Sequence, residues 1–286
     1  MNIKKLATTC VLLGIAASAL AQDDRFASVT IETVPVTGNI SMLIGSGGNI
    51  GVSTGSDGLL IIDDQYGPLA AKIRAALSQL RSDTPKFLLN THFHGDHTGG
   101  NADFGVASII IAHENVRGRL VAGDSPGSAL PVITFDEDVT VHFNGENITL
   151  IHMPRGHTDT DSVVMFEESN VIHMGDHFFN GGFPFVDLAS GGTVQGYISN
   201  LEKALSWIDD DTSVIPGHGP LGTKADLLAF YNVVKDTSTT IRVMKSQQMS
   251  AEEAVAEGLG DEYESCGQGF INEQRWIETV FASYPR

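Results

Sequence analysis

The stretch from Thr91 to Asn101 constrains the fold of this chain more than any other part of the sequence. It places three imidazoles and one carboxylate within six residues, in the pattern His-x-His-x-Asp-His. A single buried histidine is commonly satisfied by one hydrogen bond, but this density would leave several buried polar groups in need of partners. Imidazole nitrogens and carboxylate oxygens suit a zinc-like divalent ion, and four donors exceed one closed structural site. Two adjacent metal ions are therefore predicted at His92, His94, Asp96 and His97.

The local sequence explains how these donors could meet. The apolar run Phe87-Leu88-Leu89 comes directly before them and predicts a buried strand. Side chains alternate along an extended segment, so His92 and His94 point the same way. Gly95 permits a turn that other residues resist, and the turn directs the next two donors towards the same small volume.

At these residues the chain resembles the metallo-β-lactamase-fold hydrolase superfamily, whose signature is this spacing at the end of a strand. The resemblance implies a four-layer αβ/βα sandwich and further ligands downstream. Three candidates follow predicted strands and lie beside glycine, where loops present functional side chains on a rigid scaffold. They are His157, Asp176 and His218.

Carried over position by position, the resemblance implies a complete dinuclear ligand set. His92, His94 and His157 would hold the first metal, Asp96, His97 and His218 the second, and Asp176 would bridge them. Asp63, at the end of another predicted strand, would brace the site from behind. The alternative is that Asp63 or Asp64 only starts a turn. We assign His113, His142, His152, His173 and His177 to packing or to the surface, with support of the ligands or a substrate contact as the alternative for His177.

The ligand count predicts a mechanism and leaves the substrate open. Two Zn²⁺ ions, or Fe or Mn, would share a bridging hydroxide that attacks a β-lactam, lactone, ester or thioester carbonyl, with Asp96 orienting the nucleophile. Familiar zinc β-lactamases have cysteine near the position of Asp176, whereas glyoxalase-II-like thioesterases and lactonases have aspartate. Arg155 and Lys224 are the nearest candidate cations for a substrate carboxylate. An iron-bound redox protein of the same fold is the alternative from another class.

An aromatic cluster follows Asp176. Phe178, Phe179, Phe183 and Phe185 could wall an apolar substrate pocket, and the adjoining His177 could contact substrate. The alternative is core packing beneath a loop.

The N-terminus has the charged, apolar and small-residue pattern of a secretory signal over residues 1–21. Its apolar run is too short to span a bilayer comfortably, so we expect a cleaved, periplasmic or secreted product without membrane insertion. Cleavage removes one of the two cysteines in the chain. Cys266 then has no partner for an intrachain disulfide, and we assign it to structure.

The acidic composition bounds the partners. Loss of the two signal lysines takes the formal charge from −18 to −20. Such a chain repels nucleic-acid phosphates and anionic lipid, so we expect a small-molecule substrate and no nucleic acid. The sequence does not indicate an oligomeric state.

The remaining pattern predicts the domain organisation. Residues 28–65 read as an antiparallel meander, and strands then alternate with helices. Residues 162–166 and 171–174 predict a hairpin. We expect a sandwich domain over 22–222 and a C-terminal helical extension over 223–286 that packs on the sandwich and could cover the mouth of the site. Capping boxes at Thr223 and Ser250 start two of its helices. The expected aromatic anchors of the extension are Phe270, Trp276, Phe281 and Tyr284.

Overall fold

The computed structural model describes residues 24–81 and 84–284, and the predicted signal over residues 1–21 lies outside them. Within the described ranges, the first sheet has seven strands in chain order. These are β1 (Glu32–Thr37), β2 (Ile40–Ile44), β3 (Ile50–Gly55), β4 (Gly58–Ile62), β5 (Pro85–Leu89), β6 (Ile109–His113) and β7 (Ile133–Phe135). Strands β1–β4 form the predicted antiparallel meander, and β4–β7 are parallel.

The second sheet contains the later strands of the described chain. They are β8 (Asp138–Phe143), β9 (Glu146–His152), β10 (Ser162–Phe166), β11 (Val171–His173), β12 (Ser213–Ile215) and β13 (Gly222–Thr223). The predicted hairpin of β10 and β11 is confirmed, with Val164 opposite His173. Strand β12 pairs in parallel with β11, which brings the carboxyl ends of both strands to one edge.

Helices cover the outer faces of both sheets. The α-helices among the described residues are α1 (Ala70–Leu80), α2 (Gly95–Thr98), α3 (Asn101–Phe104), α4 (Glu114–Ala122), α5 (Val194–Trp207), α6 (Lys224–Ser246), α7 (Ala251–Glu257) and α8 (Glu273–Ser283). The short α2 lies in the loop that follows β5. Helix α1 buries Ile73 and Leu77 against the first sheet, while α5 buries Tyr197 and Leu201 against the second.

An apolar cluster fills the space between the two sheets. Leu60 and Ile62 from β4 meet Val164 from β10 and Ile215 from β12 in this cluster. These strands are buried on both faces, as a sheet between a second sheet and a helical layer must be. The predicted four-layer sandwich is confirmed.

The C-terminal helices share a core with the second sheet. Leu227 and Trp276 lie in one cluster with Val163 of β10. The Trp276 indole donates a 2.9 Å hydrogen bond to Thr237 Oγ1, and both capping boxes are present. Phe270, predicted to be an anchor, is 73% exposed because it lies in the turn before α8 and not on its buried face. No helix among residues 24–81 and 84–284 is long and apolar enough to cross a membrane.

Candidate metal centre

Four strand ends deliver the predicted ligands to one place. The His-x-His-x-Asp-His stretch follows β5, His157 follows β9, Asp176 follows β11 and His218 follows β12. The first strand belongs to one sheet and the others to the second, so the site lies at the edge where the sandwich opens. Side chains on loops gain precise positions when such a scaffold fixes the loop ends.

The donors form two groups, and the ligand atoms of each group lie within 4.8 Å of one another. We call His92, His94 and His157 the closed group, and Asp96, His97 and His218 the open group. Asp176 is clustered with the closed group. The grouping coincides with the division that the family resemblance implies, residue by residue.

The Asp176 carboxylate lies between the groups. Its Oδ2 is 3.4 Å from His157 Nε2 and 3.7 Å from His92 Nε2. Its Oδ1 is 3.0 Å from His97 Nε2 and 3.3 Å from His218 Nε2. One carboxylate oxygen therefore faces each group, which is the arrangement of a bridging ligand.

The buried donors fit metal ions because their lone pairs face one another. His97 Nδ1 lies 2.7 Å from the Asp63 carboxylate and must donate to it, so that in the neutral ring the Nε2 lone pair is directed at Asp176 Oδ1. Both of these atoms, and His92 Nε2, are buried without a hydrogen-bond partner among the described residues. Two acceptors at this separation repel unless a cation lies between them.

The closed group has a second pair of this kind. His157 Nδ1 donates to the Phe185 carbonyl at 2.7 Å, and His94 Nε2 lies 3.1 Å from Asp187 Oδ2. The inward nitrogens, His157 Nε2 and His94 Nδ1, are then 2.9 Å apart. Hydrogen bonds to the outer nitrogens of ligating histidines fix the ring orientation and tautomer.

Asp63 orients one ring from each group. Its Oδ2 accepts hydrogen bonds from His97 Nδ1 and Thr91 Oγ1, and its Oδ1 accepts from the Thr91 amide. Thr91 Oγ1 in turn lies 3.0 Å from His92 Nδ1. The side chain that sequence reasoning placed behind the site therefore contacts His97 directly and His92 through Thr91. The neighbouring Asp64 instead accepts a hydrogen bond from the Gly100 amide.

The charge balance of the cluster favours bound cations. Burial lowers the pKa of His92 well below its usual range and that of His157 to about 4, so both rings are neutral. Burial opposes a charged His97, but the carboxylates of Asp176, Asp96 and Asp63 raise its pKa well above the usual value. The cluster thus attracts positive charge to the position between His97 and Asp176.

The glycine-rich turn between β2 and β3 packs directly on the open group. A Cβ at Gly48 would lie 2.1 Å from Cε1 of His97, so this position has no room for a side chain. The side-chain amide of Asn49 donates to the carbonyls of Pro216 and Gly219, which fixes the loop that carries His218.

A cavity of about 720 Å³ opens over the metal centre. His94, Asp96, Asp176 and His218 form its floor. Its walls include three predicted phenylalanines, Phe179, Phe183 and Phe185, together with residues that sequence reasoning missed. These are Tyr66, Ser46 and Gly47 from one side and Gly269 and Phe270 from the C-terminal extension.

Two predicted pocket residues lie elsewhere. Phe178 is fully buried against Phe230, 5.3 Å between ring centroids, because neighbouring side chains of an extended segment point to opposite sides and Phe179 takes the cavity side. His177 stacks on Tyr197 of α5 and accepts a hydrogen bond from Asn200. The prediction that these two side chains line the substrate pocket is wrong.

Asp187 was missed as a brace for His94. It follows the aromatic cluster, and the one available signal was an acidic residue in an otherwise apolar loop. Its carboxylate also accepts from the Ser190 amide, and burial is outweighed by the hydrogen bonds from Ser190 and His94, which lower its pKa.

Comparisons with known proteins agree with this geometry. The sequence model described as the Metallo-beta-lactamase superfamily matches residues 37–218. The metallo-beta-lactamase from Pontibacter korlensis superposes with a TM-score of 0.63 at 16% identity, covering 72% of this chain and 99% of that one. At that identity the likeness concerns the fold alone.

Curated relatives match a shorter part of the chain. A hydroxyacylglutathione hydrolase from Polaromonas sp. is 34% identical over 135 residues, which cover 46% of this chain and 47% of that protein. An atrochrysone carboxyl ACP thioesterase from Emericella nidulans is 31% identical over 136 residues, covering 48% and 41%. The chain spans about half the length of these relatives.

Proposed function

The chain belongs to the metallo-β-lactamase superfamily, and from that premise we propose that it is a dinuclear metal-dependent hydrolase of a small carbonyl compound. The observation that carries the proposal is the Asp176 carboxylate, which directs one oxygen to each of two donor groups. Lactone, ester, thioester and β-lactam carbonyls are the substrate classes. The relative named as a thioesterase supports the thioester class in particular.

We propose zinc as the metal, since imidazole-rich sites with carboxylate suit it, although the same carboxylates suit iron or manganese. His92, His94 and His157 would hold one ion, Asp96, His97 and His218 the other, and Asp176 both. When bound, such a pair supplies an electrophile for the substrate carbonyl oxygen and a water nucleophile near neutral pH.

Asp96 is the residue placed to move a proton. Its Oδ2 lies 3.4 Å from His218 Nε2, and the side chain is partly exposed on the cavity floor. The carboxylate can accept the proton of the attacking water and return it to the leaving group. The acyl bond breaks, and the products are a carboxylic acid and an alcohol, thiol or amine.

Metal content and turnover test this proposal together. Elemental analysis of the purified chain should find two zinc ions, and a panel of the four carbonyl classes should show turnover that a chelator abolishes. Asp176→Asn should lower the content towards one ion. Two ions retained in this variant would remove Asp176 from the ligand set. A protein that contains iron and hydrolyses none of the four carbonyl classes would contradict the proposal of a hydrolase.

Two histidines near the end of β9 provide a matched control. His157 faces Asp176, whereas His152 stacks on His113 with 3.7 Å between centroids and donates to the Asp161 carbonyl. His157→Ala should reduce hydrolysis far more than His152→Ala. Equal losses of activity would mean that His157 contributes to folding stability and not to metal binding.

We further propose that the chain is exported after cleavage behind residue 21, from the tripartite pattern of residues 1–21. Fractionation of the native host and N-terminal sequencing test this. A mature chain that begins at Gln22 in the periplasm or medium is expected, and a cytoplasmic chain that retains Met1 would contradict it.

A further inference from the structure

The outer half of the cavity differs in chemistry from its floor. Among the described residues that line the cavity, every charged or titrating side chain apart from the Tyr66 phenol belongs to the metal donors. The remaining lining consists of four phenylalanines and Tyr66 together with glycines, Ser46 and Asn180, and no lysine or arginine is among the lining residues. Lys224, a candidate cation from the sequence, lies elsewhere and donates to the Ile208 carbonyl.

The aromatic surface is continuous from the metal centre to the mouth. The Phe185 ring lies 5.8 Å from the ring of His94 and 5.6 Å from that of His157. On its outer side it meets the Phe270 ring edge to face, with 6.0 Å between centroids. A substrate group next to the reacting carbonyl would therefore contact Phe185 first and Phe270 beyond it.

Phe270 is exposed and held in place at the same time. It is 73% exposed, more than any other aromatic residue of the cavity lining, which leaves its ring available to a ligand. The Arg275 guanidinium lies 4.9 Å from the Phe270 ring centroid and 5.2 Å from that of Phe185. This cation–π contact positions the two rings and leaves the guanidinium outside the cavity lining.

Such walls favour an uncharged aromatic group over an anion. Flat apolar groups stack on aromatic rings at centroid separations of this order. An anionic group would face the negative faces of the rings and lose its hydration without a cationic partner in the wall. The cavity volume of about 720 Å³ admits a bicyclic aryl ester or aryl lactone.

We infer that the substrate is an uncharged aryl ester, aryl thioester or aryl lactone, and that Phe270 is a specificity-determining residue that stacks on the aryl group. Water adds across the acyl C–O or C–S bond, which releases a carboxylic acid and a phenol, alcohol or thiol. The inference rests on the proposed hydrolase function, but it concerns the walls and not the metals. Binding can therefore be measured without turnover.

The test uses matched probes with and without a negative charge. They are 2-naphthyl acetate, its ring-sulfonated counterpart, and the two corresponding amides as slowly reacting ligands for calorimetry. Sulfonate is chosen because a carboxylate would itself ligate metal. We expect the neutral amide to bind about tenfold more tightly than the sulfonated one, and the neutral ester to have the lower KM.

Variants locate the preference. Phe270→Ala should weaken binding of the neutral amide and raise the KM of the neutral ester by about five- to tenfold, with kcat for methyl acetate unchanged. Phe270→Leu should restore part of the loss. Val243→Ala, at another exposed apolar position on α6 outside the cavity lining, is the control and should change neither value.

The outcomes separate this inference from the proposed function. If the neutral amide binds through Phe270 and no ester is hydrolysed, the hydrolase proposal fails and the recognition surface stands. Tighter binding of the sulfonated amide, abolished by Arg275→Gln, would overturn the inference and make Arg275 an anion site. Equal effects of Phe270→Ala on naphthyl and methyl esters, or no binding of either amide, would also overturn it.

Discussion

The closed and open groups offer similar ligand atoms in different surroundings. Each closed-group ring has an outer hydrogen bond, to Thr91, Asp187 or the Phe185 carbonyl. In the open group, the side chain of His218 is 31% exposed and its ring stacks on Phe179, with 5.0 Å between centroids. This difference indicates a division of roles: the closed group binds its metal ion firmly, and the open group exposes its metal ion to the substrate.

The largest expected effect is on the reactive side. Asp96→Asn should lower kcat by about 10²–10⁴-fold, because it removes the proposed proton acceptor. The closed-group metal should remain, as measured by elemental analysis. Asp103→Asn, an exposed carboxylate on α3, is the control. Unchanged kcat in Asp96→Asn would give the open group no chemical role beyond binding.

The braces behind the rings should differ in importance. Asp63→Asn should weaken metal binding by about 100-fold and Asp187→Asn by about tenfold, within the usual range for residues that orient ligands. The reason is that Asp63 is fully buried and serves both groups, whereas Asp187 is partly exposed and His94 is the one donor ring that it contacts. Competition with a metal-sensitive dye measures the metal affinity of both variants. A larger loss of affinity in Asp187→Asn than in Asp63→Asn would contradict this ranking of the two carboxylates.

Stepwise chelation compares the two metal positions directly. The open-group ion should leave at a chelator concentration about tenfold lower, because no side chain or carbonyl among the described residues holds the His218 ring by a hydrogen bond and Asp96 faces the cavity. Metal content followed against hydrolysis should show activity falling with the first ion. Simultaneous loss of both ions would mean that Asp176 couples the groups more strongly than their surroundings separate them.

The smallest effect concerns the aromatic contact of the open group. Phe179→Leu should lower kcat/KM by about two- to tenfold through a looser His218 ring. Phe178→Leu, one residue earlier, should instead destabilise the fold by about 1 kcal/mol with little kinetic change, because Phe178 packs in the core. Denaturant titration and steady-state kinetics distinguish the two.

Much of the centre was predictable because the ligands are encoded locally. Each one follows a predicted strand. Strand ends that lie at one edge of the sandwich bring their ligands together, and this does not depend on the rest of the sequence. The same local logic identified the meander, the hairpin of β10 and β11 and both capping boxes. Asp63 was placed in the same way, as the residue that ends β4.

The missed residues depend on long-range packing. Asp187 and His94 are 93 positions apart, and no spacing rule connects them. Phe178 and Phe179 are identical neighbours, and the direction of each ring depends on which side of the loop the core lies. Phe270 was assigned to the interior because aromatic residues are usually buried, yet the turn before α8 places it at the mouth.

Phe270 also lies beyond residue 218, where the match to the family ends. One side of the cavity mouth is therefore carried by a part of the chain that holds none of the ligands. Substitutions in the turn before α8 can alter which molecules enter without touching any donor atom. Related proteins could keep the same metal ligands and still differ in substrate specificity through single aromatic substitutions in this turn.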